Sequence, residues 1–471
     1  MSKQRIAIIG GGITGVSAAY YLQKEIQQNG TEAELTLYEA GEKLGGKIET
    51  DYTDGFVIEQ GPDSVLARKT SVMELAKEVG MGDEDFVYSK TGSFILHKSK
   101  LYPMPGGAIL GIPTQWGPFL KTKLISPAGK LRAGADLILP RTSDGDEDQS
   151  LGVFFKKRLG NEVVERLIEP LLSGVYAGDL DQLSLQATFP QFKQVEKKHR
   201  SLIVGMKSTT ARGQSQGKSQ TPKPKGMFLN FRNGLQSFID QVESKLDPST
   251  IIKGVALQSL QKVNGKYELT FSDGTKDVVD HVVLTTPHHI TYSFLKNYQF
   301  AQWLNEIPAT SVATVAMAFP EKAIKQDIDG SGFVVSKESG YSITACTWTH
   351  KKWEHSTPDG KVLLRGYVGR AGDEDIVFKS DEEILAAVLK DLSHIMELEG
   401  EPDFYKIRRW KQAMPQYIVG HKERLQKFKS SLTEELPNVH VTGASFEGIG
   451  VPDCINQGKK VAENISEDLK R

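Results

Sequence analysis

Residues 5–15 restrict the fold more than any other stretch of this chain. Arg5-Ile-Ala-Ile-Ile9 is an apolar run without polar alternation, as expected of a strand buried on both faces. Gly10, Gly11, Gly12, Ile13, Thr14 and Gly15 follow at once, and Val16 to Ile26 is rich in Ala, Leu and Ile, as a helix would be. Strand, G-x-G-x-x-G turn and helix in that order form a dinucleotide-binding fingerprint. Gly10 permits the tight turn, and Gly12 lets backbone N–H groups approach a pyrophosphate. Gly15 lets helix and strand pack closely, and the helix N-terminus offers partial positive charge to phosphate.

Three further features make the motif specific. Leu35 to Glu39 reads as a second strand ending in an acid, suitably placed to hold a ribose hydroxyl. Leu44, Gly45, Gly46 and Lys47 supply a second glycine pair followed by a base. Phe56 to Glu59 then leads into Gly61, Pro62, Asp63 and Ser64. A nicotinamide-binding domain needs neither of the last two. Both are carried by flavoproteins that resemble amine oxidases and porphyrinogen oxidases, which usually have Arg where this chain has Lys47. Lysine keeps the positive charge and loses the planar fork.

The chain has 471 residues, enough for two or three domains. Charges nearly cancel, 58 − 59 = −1, so no global field recruits nucleic acid. Cys346 and Cys454 form neither a metal-ligand spacing nor a disulfide framework, which fits a reducing cytoplasm. The first strand begins within a few residues of Met1, so no leader peptide is expected. No apolar run is long enough to span a bilayer.

Along the chain, Val72, Leu75, Ala76 and Val79 share one face of a short helix over 71–79. Arg68 and Lys69 precede it, with two readings open: a solvated helix start, or side chains facing a ligand cleft. Phe94–His97 and Lys100–Tyr102 suggest a hairpin through Lys98 and Ser99. Six prolines between residues 103 and 140 forbid a long helix and predict irregular structure with short helices. Its apolar pieces lie beside Lys121, Lys123, Lys130 and Arg132. They suit a segment packed on itself, with a membrane-facing surface or a substrate channel as the other readings. Leu151 to Leu172 is spaced as a helix weakened at Gly160, ending before Gly174. Residues 207–226 are basic, without an acid, and predict a flexible surface loop.

Asn264-Gly265 and Asp273-Gly274 mark the turns of a β meander from Leu257 to Val279, followed by the strand His281–Leu284. Four strands between 312 and 368 predict one antiparallel sheet, covered by a helix over 381–396. The tail repeats the opening logic: a strand at 440–444, then Gly448, Ile449, Gly450 and Val451, then a helix from Asp453. Trp410 follows a strand starting near Lys406; a core position and a ring packed on a cofactor are both open.

Gly10–Gly15, Gly61–Ser64, Leu172–Asp179, Thr344–Trp348 and Gly443–Cys454 together resemble the soluble bacterial branch of the porphyrinogen oxidases, over essentially the whole chain. The resemblance implies an α/β fold, α+β in parts: a Rossmann-like FAD-binding domain, a mixed-sheet substrate domain and an inserted helical domain. Residues 1–66, 228–290 and 405–471 would form the first, 67–95 and 291–404 the second, and 96–205 the third. Non-covalent FAD is implied, held by Gly10–Gly15, Glu39, Gly46, Lys47, Gly61–Ser64, Leu257, Trp410, Gly443 and Gly448–Val451. Cys454 is then a small buried residue and not a flavin attachment point.

The implied reaction removes six electrons from coproporphyrinogen III by three hydride transfers, with dioxygen as acceptor and hydrogen peroxide released. Protoporphyrinogen IX is the alternative substrate, and a flavin amine oxidase, a desaturase or a non-catalytic protein on the same fold are more distant readings. No catalytic side chain and no metal site is nominated. Gly174 would approach the macrocycle, and Arg68, Lys69, Lys98 and Lys100 are candidate propionate contacts. Plant and animal relatives carry an Arg for a propionate near the position of Ser93, and this chain departs from them there. A cytoplasmic site of action follows, with peripheral contact at the inner membrane face and with the next heme-pathway enzyme as further expectations.

Overall fold

The computed structural model describes residues 3–89, 92–143, 145, 147–215, 226–326 and 328–470. The chain divides into two compact units, one of Met1–Tyr88, Gly226–Pro308 and Lys422–Arg471, the other of Ser89–Lys225 and Ala309–His421.

A five-stranded sheet forms the middle of the first unit. Its order is Ile251–Ile252, Ala33–Tyr38, Gln4–Ile9, His281–Leu284, Val439–Val441, and every pair is parallel. Successive residues of the first strand explain its unbroken apolar run. Ile6 and Ile8 face a core built with the helices Ile13–Asn29 and Val451–Leu469, while Ala7 and Ile9 face a second core on the opposite side. The meander Leu257–Val263, Lys266–Phe271, Lys276–Val279 belongs to that second core, where Tyr38 stacks on Phe271 with centroids 4.2 Å apart.

Residues 67–88, assigned to the substrate region by sequence, sit in this first unit. Val72, Leu75, Ala76 and Val79 are wholly buried against Leu235, Phe238 and Val242 of the helix Gly234–Glu243. Each such burial contributes about 1–3 kcal/mol, far more than the composition of an eight-residue helix could supply. Strand Phe86–Tyr88 also pairs with Phe228–Phe231.

The second unit contains a seven-stranded sheet in the order Phe404–Pro415, Ala309–Pro320, Lys361–Val368, Ile343–Trp348, Gly332–Val335, Phe94–His97, Lys100–Pro103. The four strands between 309 and 368 pair antiparallel, as expected, and Phe94–His97 joins them parallel to Gly332–Val335, which makes the sheet mixed. Ile384, Val388 and Leu392 of the helix Asp381–Met396 pack onto it. That helix starts with a capping box, Ser380 Oγ accepting from Glu383 N and the Glu383 carboxylate accepting from Ser380 N. Residues 405–421, assigned to the nucleotide domain by sequence, join this sheet because Phe404–Pro415 pairs along most of Ala309–Pro320.

Helices occupy much of the remainder. Leu151–Leu159 stops at Gly160, whose φ is 84°. The chain then runs helically from Asn161 to Tyr176 through a widened π turn at Val164–Ile168. Pro170 follows that turn, and the widening relieves the clash its ring would make with a carbonyl one turn back. The helix therefore continues through Gly174, correcting the expected stop before it. The 207–226 loop is also corrected in part: the helix Leu202–Ser215 covers its first half. Residues 216–225 lie outside the described residues.

Buried ions stitch this region together. Arg158 Nε donates to Asp136 Oδ1 at 2.6 Å, and both side chains are 1% exposed or less. Ser201 Oγ and Ile203 N also donate to Asp136, and Lys193 lies 3.4 Å from Glu196.

Candidate functional site

The glycine turns meet in the first unit. Gly12 pairs with Gly45 as an isolated bridge, and Gly45 N donates to the Gly11 carbonyl at 2.8 Å. A Cβ on Gly46 would lie 3.0 Å from Gly12 Cα, so the second glycine pair rests on the first. Gly15 is needed for packing: its Cβ would fall 1.9 Å from the Gly10 carbonyl oxygen. Gly12 differs, because nothing lies within 4 Å of its Cβ position. That open side, at the start of a helix with no side-chain cap, is where a phosphate can reach backbone N–H groups.

Glu39 closes one flank. Its Oε2 accepts from Gly11 N at 2.6 Å and its Oε1 from Gly41 N at 2.7 Å. Each oxygen keeps a lone pair for a ligand hydroxyl. The segment before the meander runs alongside, with Glu39 N donating to the Ile252 carbonyl and Val255 N to the Glu39 carbonyl. Leu257, at the first position of the meander, is buried against this edge in the core that includes Tyr38.

Lys47 follows the second glycine pair. Burial lowers the pKa of its ammonium, so an anion brought to it recovers solvation that the fold has removed. Its charge is felt by Cys454 at the start of the C-terminal helix and by His289. Gly61, Pro62, Asp63 and Ser64 are half-buried, with Ser64 Oγ donating to Asp63 Oδ1.

The opposite end of the sequence reaches the same place. A Cβ on Gly443 would stand 3.4 Å from Thr14 Oγ1, and one on Gly458 would stand 2.5 Å from the Thr14 carbonyl oxygen. The C-terminal helix therefore crosses the first helix at small residues, and the turn Gly448-Ile449-Gly450-Val451 opens beside it. Gly450 is its N-cap, without a side-chain cap, and Pro452 occupies its first turn. The Cys454 thiol is buried, its pKa pushed up to about 11, and contacts the Gly448 carbonyl.

Three supporting residues escaped the sequence reading. Thr285 Oγ1 donates to the Gly10 carbonyl at 2.8 Å, directly beneath the first turn. Gln457 bridges the C-terminal turn, accepting from Gly443 N and donating to the Gly448 carbonyl, both at 3.0 Å. Glu59 accepts from Leu235 N and Thr50 Oγ1 and so caps the helix whose Gln236 holds the Leu44 carbonyl. A polar residue on the buried face of an amphipathic helix, as Gln457 is, was the available signal.

The nominated substrate contacts divide between the units. Arg68 is exposed and Lys69 is paired with Asp453 in the first. Lys98 and Lys100 are exposed on the hairpin of the second, Lys100 lying over the Tyr102 ring at 5.8 Å. Gly174 is exposed, with nothing within 4 Å of its Cβ position. Trp410 lies inside the strand Phe404–Pro415 opposite Val312, beneath the Arg408 guanidinium at 4.9 Å.

Two uncapped helix starts, an acid with spare lone pairs and a desolvated cation are the donor set a dinucleotide such as FAD requires. Among the described residues no group of His, Cys, Asp or Glu could hold a metal, and no helix is long and apolar enough to cross a membrane. The chain is 48% identical to a coproporphyrinogen III oxidase of Bacillus subtilis (strain 168), covering 97% of both chains. It is 44% identical to a coproporphyrinogen III oxidase of Staphylococcus aureus (strain NCTC 8325 / PS 47), covering 98% of this chain and 99% of that one. The crystal structure of a candidate protoporphyrinogen oxidase from Exiguobacterium sp. 255-15 superposes with a TM-score of 0.88 at 38% identity, covering 99% and 100%. The family model for flavin containing amine oxidoreductases matches residues 13–466, and the chain belongs to that family.

Proposed function

We propose that this protein is an FAD- and oxygen-dependent oxidase that converts coproporphyrinogen III to coproporphyrin III in heme biosynthesis. The observation that carries the flavin half is the meeting of two glycine-gated helix starts, from opposite ends of the sequence, within one unit. The substrate half rests on full-length likeness to two coproporphyrinogen III oxidases.

Bound FAD supplies a hydride acceptor that dioxygen regenerates with release of hydrogen peroxide, and three rounds remove six electrons. The residues' share is binding and electrostatics. In this reading Gly11, Gly12, the first helix and Lys47 hold the pyrophosphate. Glu39 takes ribose hydroxyls and Leu257 flanks the adenine. Gly443 and the turn Gly448–Val451 present positive helix potential to the side of the flavin that gains negative charge. Gly46, Gly61, Pro62, Asp63 and Ser64 line the same cradle.

A porphyrinogen is electron-rich, so hydride leaves a meso carbon without a strong base and pyrrole protons pass to water. No general base is assigned. Arg68, Lys98 and Lys100 are the exposed cations offered to propionates, and Gly174 offers unobstructed backbone. Four propionates on coproporphyrinogen call for several such cations; protoporphyrinogen IX has two.

Leu131 and Ile138, 80% and 77% exposed, support peripheral contact with a membrane surface from the cytoplasmic side. The same surface suits an enzyme that takes the product.

Turnover of the two porphyrinogens at equal concentration, read by porphyrin fluorescence, tests the assignment. Faster formation of coproporphyrin III is expected; faster formation of protoporphyrin IX would overturn it. Peroxide release with simple amines would instead favour an amine oxidase.

A further inference from the structure

We propose that Lys69 and Asp453 form a charge pair that sets the reduction equilibrium of the bound flavin, with Lys69 a positioning residue and not a ligand of substrate. This rests on the flavoprotein reading above.

Asp453 is the acid in the first turn of the C-terminal helix. Its side chain folds back over the glycine turn: Oδ2 lies 2.8 Å from the Cβ position of Gly450, and Cγ lies 3.3 Å from that of Gly448. A carboxylate there opposes the positive potential that an uncapped helix start offers a ligand. Lys69 answers it, with Nζ 2.6 Å from both carboxylate oxygens. The loop that carries Lys69 is fixed to the same turn, because Ser71 Oγ donates to the Pro452 carbonyl at 3.0 Å. Burial does most to raise the pKa of the adjacent Cys454 thiol and the Thr14 hydroxyl lowers it; Lys47, Asp453 and Lys69 add smaller contributions, only that of Asp453 raising it.

Both members of the pair remain partly exposed, 41% and 31%, so solvent screens most of its worth to folding. Its position gives it another use. Reduction builds negative charge on the flavin. With Asp453 neutralised, the helix start stabilises that charge; with Lys69 removed, the carboxylate opposes it.

The test is the anaerobic equilibrium between the holoenzyme flavin and a two-electron reference dye, with a melting curve for each variant. Lys69→Met should shift it about tenfold toward oxidised flavin, which is about 30 mV for a two-electron couple. Asp453→Asn should shift it the opposite way by a similar factor, and the double variant should return to within about threefold of wild type. Lys69→Arg should stay near wild type. An unchanged equilibrium in both single variants, with only melting altered, would make the pair merely structural and overturn the proposal. So would a rise in KM for the porphyrinogen in Lys69→Met with the equilibrium unmoved. If Lys69→Met loses its flavin, Asp453→Asn decides by itself, and no shift there overturns the proposal. Failure of the flavoprotein reading would look different: wild-type protein that binds no FAD.

Discussion

A methyl group on Gly15 would sit 1.9 Å from a backbone oxygen, whereas one on Gly174 would touch nothing within 4 Å. Both glycines lie on helices, one in each unit, and both were singled out by sequence. The contrast separates two ways of building a site. The nucleotide cradle is made of backbone pressed against backbone, so its geometry is over-determined by residues that tolerate no side chain. The second unit is organised by side chains with distant partners, such as Arg158 with Asp136, and leaves Gly174 open.

The largest expected effect breaks the cradle. Gly15→Val pushes a side chain into the Gly10 carbonyl, a contact no rotamer relieves. Strain of about 3 kcal/mol should weaken FAD binding about 100-fold or more. Titration of apoprotein by flavin fluorescence measures this, and near-normal affinity would show the turn to be less rigid than described.

The second unit should break through its ions. Arg158→Met leaves Asp136 buried without its cation, an expected cost of about 3–5 kcal/mol. Thermal melting should show it as a fall of many degrees, and a loss within the error of the measurement would contradict the reading of this cluster.

Acid should act on the first unit by a different route. His281 and His440 lie on adjacent strands with ring planes 7° apart, and burial lowers both pKa values, that of His440 to about 4. The unfolded chain binds protons near pH 6.5, so between pH 6.5 and 4 it binds more than the folded chain. Stability should therefore be level above pH 6.5 and fall as pH drops toward 4, by about 3 kcal/mol for His440. Denaturant unfolding at pH 7 and pH 5 checks this, and His440→Gln should flatten the slope.

The smallest effect sharpens the contrast. Gly174→Ala should raise stability, read by melting, by no more than about 1 kcal/mol, through helix propensity, and leave FAD affinity alone, because nothing crowds the site. A change confined to KM for the porphyrinogen would support the backbone-contact reading, and lost FAD would contradict it.

The same division governs what the sequence made legible. Gly10–Gly15, Glu39 and Gly448–Val451 were readable because backbone geometry and helix ends impose residue types at fixed spacing. The strands of the meander and of the second sheet followed from turn dipeptides and apolar runs. Asp136, Glu196, Thr285 and Gln457 were not readable, since a buried polar group is defined by a partner remote in sequence. Lys69 was seen, but its partner lies 384 residues away, and only coordinates could join it to Asp453. Trp410 and residues 67–88 were assigned to their domains by the family resemblance alone, and long-range strand pairing and helix packing put them in the other unit.

Anaerobic mixing of the purified holoenzyme with coproporphyrinogen III, followed at the flavin absorbance band, tests the central claim most directly. The flavin should bleach as coproporphyrin III fluorescence grows, and admitting oxygen should restore the band with release of peroxide. A flavin that stays oxidised while the porphyrinogen is unchanged would contradict it.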